Sequence, residues 1–139
     1  MTEAKGQFTV SLTPQDQSTS GPATLGRMTI AKVFEGDMIG TSTGEMLTVR
    51  TPVDGSAVYV AVEAFEGSLA GLAGGFALSH RGVMSDGGQS LVVEIVPDSG
   101  SGALAGISGS MTIDITGGDH AYTLMYDLPD REDAGDRRD

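Results

Sequence analysis

Apolar and polar residues alternate along this chain with a period of two, and the alternating runs are cut by glycine-containing turns. No window of a dozen residues keeps the i, i+3, i+4, i+7 apolar pattern of a helix free of glycine or proline. Eight runs read as strands, at about Gly6–Thr13, Leu25–Glu35, Ile39–Thr51, Ser56–Glu66, Gly75–Met84, Gln89–Val96, Ile107–Thr116 and Ala121–Leu128. The links Glu35-Gly-Asp, Val53-Asp-Gly-Ser, Ser85-Asp-Gly-Gly and Thr116-Gly-Gly-Asp supply residues that tolerate positive φ. Short links pair consecutive strands antiparallel, as a meander. The expectation is an all-β chain: an eight-stranded antiparallel closed barrel, because closure removes the edges that a flat meander exposes. Eight strands enclose an interior that side chains fill, or that holds one small ligand.

The barrel should occupy residues 1–128 as a single domain, since 139 residues leave no room for two cores. The charged tail from Pro129 to Asp139 has almost nothing to bury and is expected to be disordered. The polar stretch Gln15–Gly21 reads as a mobile loop. Glycine supplies 21 of the 139 residues, about twice ordinary usage. One repeat concentrates it: Gly67-Ser-Leu-Ala-Gly-Leu-Ala-Gly74 is echoed by Gly102-Ala-Leu-Ala-Gly-Ile-Ser-Gly109, and a looser copy, Phe34-Glu-Gly-Asp-Met-Ile-Gly40, matches Phe65-Glu-Gly-Ser-Leu-Ala-Gly71. No Gly-Lys-Ser/Thr follows and no helix opens after it, so the phosphate-loop reading fails. These segments read as corner turns whose Leu69, Leu72, Leu104 and Ile107 plug the barrel ends.

Charge and composition narrow the chemistry. Eight basic against 19 acidic residues give 8 − 19 = −11, a field that repels phosphate backbones and anionic lipid. No nucleic-acid and no membrane partner is therefore expected. The chain has no cysteine, which removes disulfides, thiolate nucleophiles and cysteine-ligated metals. No two potential ligands recur at a metal-site spacing, so neither metal nor cofactor is expected. The start of the chain has no apolar run of the signal-peptide kind, and a cytoplasmic location follows as the default expectation.

Several motifs, taken in order, resemble one family. They are Phe65-Glu-Gly-Ser-Leu-Ala-Gly, Gly75-Phe-Ala-Leu-Ser-His-Arg-Gly82, Val96-Pro-Asp-Ser-Gly-Ser-Gly-Ala-Leu-Ala-Gly-Ile-Ser-Gly109 and Tyr122-Thr-Leu-Met-Tyr-Asp-Leu128. Together they resemble the bacterial domain-of-unknown-function family 3224, with an allene oxide cyclase-like β-barrel. The resemblance spans about Gly6 to Leu128 and implies a cytoplasmic eight-stranded barrel with no assigned activity. Related barrels include cyclases that close rings in apolar substrates, but no catalytic motif of theirs matches here residue by residue, and fold does not imply function.

Alternation sorts the candidate site residues. On Gly75–Met84 the even set holds Phe76, Leu78, His80 and Met84. On Ser56–Glu66 the odd set holds Tyr59, Ala61, Glu63 and Phe65, while the even set (Val58, Val60, Val62, Ala64) is more aliphatic, so either face could point inward. If the Phe65 face meets the Phe76 face, Glu63 and His80 lie together on neighbouring strands. A carboxylate beside an imidazole in an apolar cavity can act as a general acid/base pair, and is equally a way for buried polar groups to satisfy each other. Tyr126 could donate to a ligand oxygen, which makes Glu63, His80 and Tyr126 the candidate catalytic residues. Arg50 at a strand end could hold a carboxylate. With Tyr59, Phe65, Phe76, Leu78 and Met84 it forms the candidate ligand-binding set. Glu94 alternates with Val92 and Val96 and could face inward, although Leu91, Val93 and Ile95 make an equally good core face. His120 sits in a Gly-Gly-Asp-His turn and is expected in solvent, as is Asp114.

Two function classes follow. One is a cofactor-free isomerase or cyclase acting on a small apolar substrate inside the barrel. The other is binding without catalysis, as a carrier or sensor of a small hydrophobic molecule, or a filled barrel acting through self-association. The seven methionines suit an adaptable apolar cavity and serve equally as core filler. A homodimer or other small homo-oligomer is expected from the symmetry preference of small proteins.

Overall fold

The computed structural model describes residues 1–129, among which there is no helix; the expected disordered tail lies, apart from Pro129, outside the described residues. The strands are β1 (Thr2–Ser20), β2 (Ala23–Gly36), β3 (Met38–Arg50), β4 (Ala57–Leu69), β5 (Leu72–Ser85), β6 (Gly88–Ile95), β7 (Ser101–Gly102), β8 (Ser108–Thr116) and β9 (Asp119–Asp127). β4, β3, β2, β1, β9, β8, β6 and β5 are neighbours in that order, and a β4–β5 pairing closes the ring. The wall is therefore an eight-stranded antiparallel barrel. The additional strand β7 pairs with β5 through Gly74 and Gly75. No helix of the described residues is long and apolar enough to cross a membrane.

Two expectations about segments change. Gln15–Ser20 is not a loop but the continuation of β1, hydrogen-bonded along β2 from Asp16↔Arg27 to Ser20↔Ala23. The register shifts between Pro14 and Asp16, a bulge that lets a proline sit in the strand without breaking the ladder. Arg27 anchors this stretch with two hydrogen bonds to the Asp16 carboxylate, at 3.2 and 2.9 Å. His120 is half-buried rather than solvated, its ring 5.1 Å from that of Phe8.

One end of the barrel is filled. All four phenylalanines (Phe8, Phe34, Phe65 and Phe76) and Tyr122 form a chain of ring contacts with centroids 5.3–5.6 Å apart. Aromatic pairs at such spacings add about 1 kcal/mol each beyond the area they bury. Met38, Leu69, Leu104 and Ile107 plug this end and are fully buried. Leu72 packs against them, half-buried. The Tyr122 hydroxyl donates to the Glu35 carbonyl at 3.0 Å and accepts the Met38 N–H at 2.8 Å, fastening the β2–β3 turn to β9. Asp37 in the same turn accepts the Lys5 N–H at 2.8 Å, and its carbonyl accepts the Ala70 N–H at 2.8 Å.

Candidate functional site

The register settles which face of β4 points inward. Phe65 pairs with Phe76 and Ala61 with His80, so Tyr59, Ala61, Glu63 and Phe65 face the interior, and the aliphatic set Val58, Val60, Val62 and Ala64 faces out. Glu63 lies opposite Leu78, two rungs from the Ala61–His80 pair and on the same face, so Glu63 and His80 meet on the diagonal. Glu94 pairs with the outward Ser79 and is exposed. Asp114 is exposed, as alternation requires.

Directly above the aromatic core lies a layer of charge. His80 Nε2 contacts Glu63 Oε2, Lys32 Nζ donates to the same oxygen at 2.8 Å, and Ser42 Oγ donates to Glu63 Oε1 at 2.5 Å. None of the four residues is more than 7% exposed. The ammonium of Lys32 also sits 4.6 Å from the centroid of the Phe8 ring, a cation–π contact. Gly44 makes room for the acid, since a Cβ there would stand 2.6 Å from the Glu63 Cα. Burial is the largest influence on the Glu63 carboxyl and pushes it up, but the His80 hydrogen bond, the Lys32 charge and hydrogen bond, and the Ser42 hydrogen bond together hold it down to about 2. Glu63 is thus a fixed anion at neutral pH, and His80 must present Nε2–H to it.

Neither Lys32 nor Ser42 is a candidate from the sequence reading. A signal for Lys32 exists, because Ile30, Lys32 and Phe34 alternate on one face of β2 and all three are buried. Among the described residues, no three His, Cys, Asp or Glu side chains cluster in a way that could hold a metal ion.

The other end of the barrel is open. A pocket of about 470 Å³ there is lined by Met28, Met46, Thr48, Arg50, Tyr59 and Met84 among others. Tyr59 lies flat against the β5 backbone at Gly82, where a Cβ would stand 2.1 Å from its ring. Burial, and secondarily the Glu63 charge, push the Tyr59 phenol up, so it stays a neutral donor. Around the same mouth, inward-facing apolar side chains are left in solvent: Leu12 is 46% exposed, Met84 40%, Leu91 41% and Ile115 62%. The cause is the wall itself. β6 and β8 share only the rungs Val93↔Met111 and Glu94↔Ser110, and β9 leaves β1 after Phe8↔His120, while β1 runs on to Ser20.

The candidate residues therefore separate. Glu63 and His80 meet in the buried charge layer. Arg50, Tyr59 and Met84 line the mouth. Phe65, Phe76 and Leu78 belong to the packed core, and Tyr126 is buried beside Gly109 and Thr2 near the closed end, away from the Glu63–His80 pair.

A half-filled antiparallel barrel, sealed by aromatics at one end and open over a buried ion cluster at the other, is the class that this fold and site define. The model of the family described as "Protein of unknown function (DUF3224)" matches residues 4–126. The chain belongs to the DUF3224 family. A crystal structure of a DUF3224 protein of unknown function from Shewanella oneidensis MR-1 is similar to it at 44% identity and a TM-score of 0.88, over 92% of this chain and 97% of that one. No curated protein matches the chain.

Proposed function

We propose that this barrel binds a small, mainly apolar molecule in its open mouth, and that it does so without catalysing a reaction. The observation that carries this reading is the row of inward-facing apolar side chains left in solvent at the mouth, above a floor that is packed and charged. A pocket of about 470 Å³ lies within the usual size for small-molecule sites. Arg50 at its rim makes no ion pair among the described residues, which suits a ligand with an acidic end. The isomerase or cyclase reading needs an acid or base free to reach the substrate. Glu63, Lys32 and His80 are instead buried and engaged with one another, and the carboxylate is held ionised.

The test uses two fluorescent probes, anionic anilinonaphthalene sulfonate and neutral Nile red, titrated into the full chain. Saturable binding of both is expected. Met84→Asp should weaken both, Arg50→Ala should weaken the anionic probe alone, and Val33→Lys on the outer wall should change neither. Binding that does not saturate, or that responds equally to Val33→Lys, overturns the proposal.

A further inference from the structure

The outer wall carries a second apolar surface, distinct from the mouth. By register, Leu47, Val60, Arg81 and Val92 stand side by side across β3, β4, β5 and β6, and Val62 lies in the next row between Glu45 and Ser79, with Glu94 beyond Ser79. Leu47, Val60, Val62 and Val92 are all exposed. Leu47 and Val60 form a ridge bordered on both sides, by one groove running towards Ala77 and Glu94 and by another running towards Leu25 and Val49. A ridge beside a groove complements itself across a two-fold axis, because each copy can seat its ridge in the groove of the other.

The charges point the same way. Arg81 stands in that row between Val60 and Val92, Glu94 lies diagonally from it on β6, and neither side chain makes an ion pair or hydrogen bond among the described residues. A two-fold operation that brings Arg81 onto the partner's Glu94 brings Glu94 onto the partner's Arg81, forming two pairs at once. Copies of a chain with net charge −11 repel one another. Around this patch, however, Arg27 and Arg81 offset two of the three acids Asp16, Glu45 and Glu94, leaving a local charge of only −1. We propose that this face is the interface of a symmetric homodimer, with Leu47, Val60 and Val62 at its centre and reciprocal Arg81–Glu94 pairs at its rim.

Sedimentation of the full chain at tens of micromolar tests it. The expected result is twice the mass of one chain. Val62→Arg should give the one-chain mass, and Arg81→Glu should weaken association by about tenfold or more. Arg81→Glu combined with Glu94→Arg should restore the dimer. All these positions are exposed, so circular dichroism should be unchanged. A wild-type mass of one chain, or a dimer that neither Val62→Arg nor the single charge reversal weakens, overturns the proposal. So does a double reversal that fails to recover it.

Discussion

Glu63 ties three buried neighbours, Lys32, Ser42 and His80, to a single carboxylate. Removing one partner of a buried ion pair leaves the other charged and uncompensated, which costs about 3–5 kcal/mol. Glu63→Gln is therefore expected to destabilise by that amount, as the shift in denaturant midpoint. The residue left exposed to the cost is Lys32, so Lys32→Met added to Glu63→Gln should recover most of the loss. Independent losses that merely add would contradict the coupling. The same carboxyl sets an acid limit. Its pKa is held at about 2 in the fold against 4.5 in the free side chain. A depressed pKa means that the stabilisation is complete above pH 4.5 and is withdrawn as the pH falls from there towards 2. The amount is on the order of 3 kcal/mol. Denaturation of wild type and Glu63→Gln across this range should give stability curves that converge as the acid protonates; curves that stay parallel would count against the assignment.

Strand pairing is uneven around the wall, and the weakest join has a measurable signature. β6 and β8 share two rungs, whereas β8 and β9 share nine and β3 and β4 thirteen. Native-state hydrogen exchange should thus show β6 and β8 opening at lower free energy than β3 and β4. Uniform protection around the ring would refute this. Alternation revealed the strands well because each is half-buried, with one face on the core and one in water. It failed on β4 for a physical reason: the outward face carries Val58, Val60 and Val62, so both faces are apolar and period two has no contrast to report. Gln15–Ser20 misled for the converse reason, since its polar composition is that of a loop while the β2 ladder holds it extended. Lys32 stayed hidden because charge ordinarily marks an outward position, and the Glu63 that reverses this is 31 residues away in sequence.

Across the whole molecule, closure, antiparallel order and the glycine corners could be read from local pattern. The open mouth could not, because it depends on where strands part company and on how far β1 outruns β9. The aromatic ring chain and the Tyr122 fastening hold the sealed end, and the ion layer roofs it. Side chains beyond that roof, such as Met46, Thr48, Met84, Leu91 and Ile115, add little to the packed core. Mutational drift can therefore rewrite this rim at small thermodynamic cost, and one sealed base can accompany many different rims. Lineages sharing the barrel are free to diverge at the rim while unfolding alike, and the same freedom makes the rim the place to randomise when a binding surface is to be built on this scaffold.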